Sequence, residues 1–145
     1  MSIEYVQGAY TISTDPAKLD LNAIHLFLSK EAYWAIGRSI EVVKKSIENS
    51  LCFGVYLETR QVGFARVVTD YITFAWLCDV FILAEFRGKG LSKWLVKTII
   101  EYPDFTHLRR FLLATRDAHG LYKDYGGFQP LENPERWLER FRPNS

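Results

Sequence analysis

The stretch Val80-Phe81-Ile82-Leu83-Ala84-Glu85-Phe86-Arg87-Gly88-Lys89-Gly90-Leu91-Ser92 decides how this chain is read. An apolar run ends in a short loop with two glycines, and a helical pattern with Leu91, Leu95 and Ile99 on one face begins at once. Glycine lets a backbone approach a ligand closely, and the first N–H groups of a helix have no partner within it. Their partial positive charge favours a phosphate, and Arg87 and Lys89 add full charges. Three phosphate loops can be written this way. A Walker A loop, G-x-x-x-x-G-K-[ST], fails because Gly90 follows Gly88-Lys89 and Leu83 stands where the first glycine belongs. The dinucleotide fingerprint G-x-G-x-x-G fails because Lys93 takes the third glycine's place. The pattern R/Q-x-x-G-x-G/A fits at Arg87 and Gly90, with Ser92 at the final small position.

Working outward, Thr73 to Leu83 reads as one strand, so nearly continuous in apolar residues that a central position covered on both faces is predicted. Before it, Leu51, Phe53, Val55 and Leu57 alternate as in a half-buried strand. Glu58-Thr59-Arg60-Gln61 is a polar turn, and Val62 to Thr69 returns as the second arm of an antiparallel hairpin. Tyr10 to Ser13 predicts a short strand closed by Thr14-Asp15-Pro16. Helices are predicted over Asp20 to Leu28, and from near Ser39 to Asn49 with Ile40, Val43 and Ile47 on the buried face. After the glycine loop come a helix from Gly90 to Glu101, a buried strand from Phe111 to Thr115, and a short helix from Ala118 to Tyr125 ended by Gly126-Gly127. Gln129 to the C-terminus is expected to supply one or two edge strands. The order predicts a single mixed α/β domain over residues 1–145.

Composition excludes several classes. With 18 basic and 17 acidic residues, net charge +1 and no Lys/Arg run, the chain lacks the footprint of a nucleic-acid binder. Cys52 and Cys78 lie in apolar stretches and read as buried free thiols in a reducing compartment. His25, His107 and His119 show no metal-ligand spacing, so no metal is expected. Met1 is followed by Ser-Ile-Glu-Tyr rather than a basic and then apolar leader, and no apolar run approaches the ~20 residues of a membrane span. A cytoplasmic protein without a membrane partner is the expectation.

The segment around Arg87 to Ser92 resembles motif A of the GCN5-related N-acetyltransferases (GNATs), which bind the pyrophosphate of acetyl-CoA through backbone amides. A second motif of that family, N-x-x-A-x-x-L-Y-x-x-x-G-F, lies downstream. Here Thr115-Arg116-Asp117-Ala118-His119-Gly120-Leu121-Tyr122-Lys123-Asp124-Tyr125-Gly126-Gly127-Phe128 matches it in register at Ala118, Leu121, Tyr122 and Gly126. Thr115 replaces Asn, Ser92 replaces the usual Gly or Ala, and an extra Gly127 delays Phe128 by one residue. The order of elements over almost the whole chain also matches the family fold, a mixed, mostly antiparallel sheet flanked by helices.

The resemblance implies that acetyl-CoA is the acetyl donor and that residues 87–92 hold its pyrophosphate, with Leu83, Thr115, Ala118, Leu121 and Tyr122 also at the cofactor. It implies a bulged strand splayed from its neighbour, with backbone groups of Phe81 and Ile82 against the pantetheine arm and one N–H there as an oxyanion donor. Tyr122 matches the tyrosine that many relatives use as general acid toward the CoA sulfur. Asp79 is the only carboxylate inside an otherwise apolar strand, and a buried carboxylate must be paired or have a raised pKa. Some relatives carry an acidic residue there, so base, substrate anchor and structural partner of an arginine such as Arg66 all remain open. The glutamate that histone acetyltransferases place six residues before the Ile82 position is Trp76 here. Asp117 reads as a helix N-cap, and Glu85 as an exposed loop charge. The loop between the first two helices is expected to form the acceptor wall with Tyr33, Trp34 and Arg38, joined by Arg66 and Asp70. The expected partner is a small-molecule amine acceptor, and a homodimer is left open. A non-catalytic acyl-CoA-binding sensor or regulatory module is the alternative.

Overall fold

The structure, a computed structural model, describes residues 2–143. Six strands form one sheet in sequence order: β1 (Glu4–Gln7), β2 (Tyr10–Ser13), β3 (Leu51–Leu57), β4 (Arg60–Thr69), β5 (Phe74–Ile82) and β6 (Arg110–Leu113). The first five are antiparallel neighbours, and β6 lies parallel to β5. Helices α1 (Leu21–Lys30) and α2 (Ile40–Glu48) connect β2 to β3, α3 (Leu91–Ile100) connects β5 to β6, and α4 (His119–Gly126) follows β6.

The helices begin where side chains can take up their first N–H groups. Asp20 accepts from Ala23 N at 3.0 Å and Ser39 from Val42 N at 3.3 Å. α1 and α2 bury Ile24, Phe27, Leu28 and Val43 against Cys52, Phe64 and Phe81 on one face of the sheet. α3 and α4 bury Leu91, Leu95, Val96, Ile99 and Tyr122 on the other, against Phe53, Val55, Ala65 and Val67. Strands β3 and β4 are thus covered on both sides, and each fully buried large side chain there contributes about 2–3 kcal/mol.

Four expectations are corrected. The strand β1 precedes the first one predicted and pairs with β2 across a turn at Gly8, whose φ is +60°. The turn after β3 is only Glu58-Thr59, since Arg60 and Gln61 already pair with Leu57 and Tyr56. β5 is central but not doubly covered along its length: Phe74 and Trp76 remain exposed, because α1 and α2 cover its far end only. Among the described residues from 129 to 143 there is no strand, only a 3-10 turn at Pro134–Arg136. Pro130 and Pro134 bring no N–H to a ladder, and the residues between and after them do not alternate.

Candidate active site

Two irregularities in β5 open a cleft. Phe64 pairs with Phe81 and Arg66 with Cys78, so Ala65 alone faces two residues, Asp79 and Val80. That is a β-bulge, and Asp79 takes it with a φ of +53°. Asp tolerates this left-handed region better than most residues. On the other side, β6 pairs with β5 only from Phe74 to Leu77, while β5 runs on to Ile82. Cys78 to Ile82 therefore has no β6 partner, and the strands splay as the resemblance implied.

The cleft so formed encloses about 440 Å³. It is lined by Val80, Phe81 and Ile82 from β5 and by Asp117, Ala118, Leu121 and Tyr122 at α4. Arg87, Gly88, Gly90, Leu91 and Ser92 of the glycine loop and α3 line it as well, as do Glu31, Ala32, Tyr33 and Trp34 of the α1–α2 connection. Phe81 and Ile82 are at once core and wall: the Phe81 ring stacks on Phe27 at 4.0 Å.

At the glycine end, Gly88 and Gly90 have φ of +79° and +78°. Gly90 caps α3 with no side-chain hydrogen bond, and no atom lies within 4 Å of where a Cβ at either glycine would stand. Among the described residues the N–H groups of residues 88–93 make no hydrogen bond. Six free donors at the start of a ten-residue helix suit a pyrophosphate. Arg87 is fastened beside them by a hydrogen bond from Nε to the Ile82 carbonyl at 3.0 Å. These residues fit acetyl-CoA.

The Tyr122 side chain lines the cleft, is 9% exposed, and has no hydrogen-bond partner for its hydroxyl among the described residues. Burial, with Tyr33 and Asp117 adding to it, pushes its pKa up to about 12. Gly127, with φ of +70°, ends α4, and Phe128 then returns its N–H to the Tyr122 carbonyl at 3.2 Å and packs its ring on Tyr122. The extra glycine of this chain is absorbed in the helix stop.

Asp79 is engaged with Arg66, Arg38 and Trp34. Trp34 Nε1 donates to Oδ1 at 2.8 Å, Arg66 Nε donates to Oδ2 at 2.8 Å, and Arg38 Nη1 reaches both oxygens at 3.3 and 3.2 Å. Of the acceptor residues named from the sequence, Tyr33 and Trp34 line the cleft, whereas Arg38 and Arg66 do not. Asp70 serves the β4–β5 hairpin instead. Its carboxyl is held well below the usual carboxylate range by the Thr73 hydroxyl and the N–H groups of Ile72, Thr73 and Phe74. It sits at the opposite end of β5, about 20 Å from Val80 at roughly 3.3 Å per strand residue.

Asp117 is not the cap of α4. Thr115 Oγ1 accepts from Ala118 N at 3.1 Å, and Asp117 lines the cleft. Leu83, Lys89 and Thr115 stand beside the cleft rather than lining it; Leu83 N is bound to the Val62 carbonyl at 2.8 Å. Glu85 is exposed, paired with Arg60 at 2.8 Å. Glu31, Ala32 and Phe86 line the cleft without having been singled out in the sequence, since only the fold brings them there. The Tyr33 hydroxyl accepts from Arg116 N at 3.1 Å, and the Arg116 guanidinium lies 3.8 Å from the centre of the Tyr33 ring. That contact ties the α1–α2 connection to the loop after β6. Among the described residues no helix is long and apolar enough to cross a membrane.

Comparison with known proteins agrees with this geometry. Residues 17–128 match the family described as Acetyltransferase (GNAT) family. A Gibberella zeae protein named as a candidate acetyltransferase is 32% identical over 154 aligned positions, covering 88% of this chain and 87% of that one. A crystal structure of a candidate GNAT acetyltransferase from Xanthomonas campestris pv. campestris is 47% identical with a TM-score of 0.91, covering 95% of this chain and 96% of that one. A Clostridium acetobutylicum structure described as an acetyltransferase with acetyl-CoA shares the fold at 15% identity, TM-score 0.60, over 97% and 96% of the two chains. The chain belongs to the GNAT family of acetyltransferases, whose acetyl donor is acetyl-CoA.

Proposed function

We propose that this enzyme transfers the acetyl group of acetyl-CoA directly to a primary amine of a small acceptor, both bound at once in the cleft between β5 and α4. The observation that carries the reading is the cleft itself. It brings a helix start with free N–H donors together with the aromatic residues Tyr33 and Trp34, and it is lined by Tyr122, whose hydroxyl has no partner among the described residues. Two reactants held in one cleft gain the rate advantage of proximity.

Acetyl-CoA supplies the activated thioester and, as acetyl leaves, a thiolate. Residues 87–92 hold the pyrophosphate, and the unpaired edge of β5 from Val80 to Ile82 takes the extended arm along its backbone. Tyr122 keeps its proton through the whole neutral range, since its pKa lies near 12. An ordinary thiol has a pKa near 8.5, so complete transfer from Tyr122 to a thiolate is uphill by about 5 kcal/mol. Tyr122 therefore stabilises the thiolate by donating a hydrogen bond while retaining its proton. On the acceptor side, Trp34 is the aromatic available to an amine beside Tyr33, whose ring carries the Arg116 guanidinium, and Glu31 and Asp117 are the carboxylates that line the cleft. Neither carboxylate has an ion-pair or hydrogen-bond partner among the described residues, so both are free to receive the amine's proton.

The test is release of free thiol from acetyl-CoA with a panel of amines, amino acids and peptides, alongside calorimetric titration of acetyl-CoA. Turnover on a small amine is expected. Tight binding without release across the panel would favour a non-catalytic acyl-CoA sensor.

A further inference from the structure

Asp79 immediately precedes Val80, Phe81 and Ile82, which line the cleft, and its side chain binds Trp34, which lines it too. Its backbone makes the bulge, with φ of +53°, just before that end of β5. Its carboxylate, in a side chain only 2% exposed, receives donors from Trp34, Arg38 and Arg66. A carboxylate offers about four lone-pair sites, and four donor contacts between 2.8 and 3.3 Å occupy them. An amine proton could enter only by displacing a donor already in place.

The partners come from separate parts of the chain. Trp34 and Arg38 belong to the connection between α1 and α2, Arg66 to β4 and Asp79 to β5. Arg66 is braced in turn by Nη1 donating to the Ser50 hydroxyl at 3.0 Å. The connection is also tied by the His25 ring to the Arg38 carbonyl at 3.0 Å, by Gly37 N–H to the Ser29 carbonyl at 2.9 Å, and by Tyr33 to Arg116 at 3.1 Å. Among the described residues only Asp79 accepts a hydrogen bond from the Trp34 side chain, whose ring lines the cleft in edge contact with Tyr33, centroids 5.1 Å apart.

We propose that Asp79 is a positioning residue that fixes Trp34 and Arg38, and with them the wall against which the acceptor packs, and that it takes no proton itself. This rests on reading the cleft as the acetyl-transfer site. One side chain thereby shapes acceptor specificity from a strand whose backbone serves the cofactor. The wall joins the apolar anchors Ala32 and Ala35 to a buried ion-pair network, so its geometry depends on direction as well as volume.

The experiment compares wild type with Asp79→Asn, Trp34→Phe and Arg38→Gln. Three readouts are taken: calorimetric affinity for acetyl-CoA, kcat and KM on the fastest amine from a tyramine, putrescine and peptide-amide panel, and the indole N–H resonances, with Trp34 assigned by its loss in Trp34→Phe. Asp79→Asn is expected to hold acetyl-CoA within about threefold, raise the amine KM at least tenfold, change kcat less than threefold, and move the Trp34 indole resonance. A hundredfold fall in kcat at unchanged amine KM, with loss of one limb of the pH profile, would make Asp79 the base and overturn the proposal. An unmoved indole resonance would also overturn it. If Asp79→Asn does not fold, the other two variants keep the carboxylate on Arg66, and an unchanged amine KM in both refutes the positioning role. If wild type fails to bind acetyl-CoA, the transfer reading falls, while the indole comparison still decides whether Asp79 holds Trp34.

Discussion

Replacing Tyr122 by Phe removes one oxygen from the centre of the cleft and little else. The hydroxyl has no partner among the described residues, and the ring keeps its contact with Phe128, centroids 6.1 Å apart. Folding stability should therefore stay within about 0.5 kcal/mol of wild type. During turnover the hydroxyl is expected to donate to a developing thiolate, and a hydrogen bond to a charged group is worth about 1.5–3 kcal/mol. That corresponds to roughly a ten- to hundredfold lower kcat. Because Tyr122 holds its proton up to about pH 12, the ratio of wild-type to variant kcat should be flat from pH 7 to 10. Thiol release measured by a chromogenic disulfide gives kcat, and calorimetry gives acetyl-CoA affinity. A kcat within twofold of wild type, or an equal loss in kcat and in acetyl-CoA affinity, refutes the role.

Gly90→Ala places a side chain at φ of +78° in open space, so it should cost about 1–2 kcal/mol of stability yet weaken acetyl-CoA at least tenfold by entering the pyrophosphate cradle. Calorimetry together with urea unfolding separates the two effects. Asp117→Asn should lower kcat on the best amine severalfold without changing acetyl-CoA affinity, since its carboxylate lines the cleft without a partner among the described residues; steady-state kinetics decide it. Burial raises the Cys52 and Cys78 thiols to about 12, as it does Tyr122. The folded chain therefore keeps protons that the unfolded chain releases, so stability is full below about pH 9 and is lost as pH rises toward 12. Unfolding free energies from urea titrations at pH 8, 10 and 11 should fall as pH rises, and less in Cys52→Ala; a flat series contradicts the assignment.

Much of the fold was legible because its signals are local. Asp20 and Ser39 stand where they cap helices, and apolar residues recur at three and four positions in α1, α2 and α3. The existence of β3 was legible too, but its alternation suggested one buried face, whereas helices on both sides of the sheet bury nearly all of it. The C-terminal strand was misread because a run after Gln129 looked like the edge strand the fold would accept, while its prolines deny the ladder its donors. Strand β1 is nearly all exposed and carries almost no apolar pattern, so its pairing with β2 left little trace in composition.

The cofactor loop could be read from residues 87–92 alone, because a helix start with two left-handed glycines is a local device that carries its own donors. The acceptor side could not. Asp79 announced itself as a lone carboxylate in an apolar strand, but which groups it meets depends on Trp34 and Arg38 crossing some forty positions to reach it. Arg66 could be named in sequence as one possible partner of Asp79, but Arg38 was expected at the acceptor wall, and in the folded chain both are spent on that carboxylate. Asp117 looked like a cap, but α4 begins at His119 with Ala118 at the cap position, one residue too late for Asp117, which lines the cleft instead. Which face a residue presents can be read from its spacing, whereas which charges meet in low dielectric is settled only when distant segments pack.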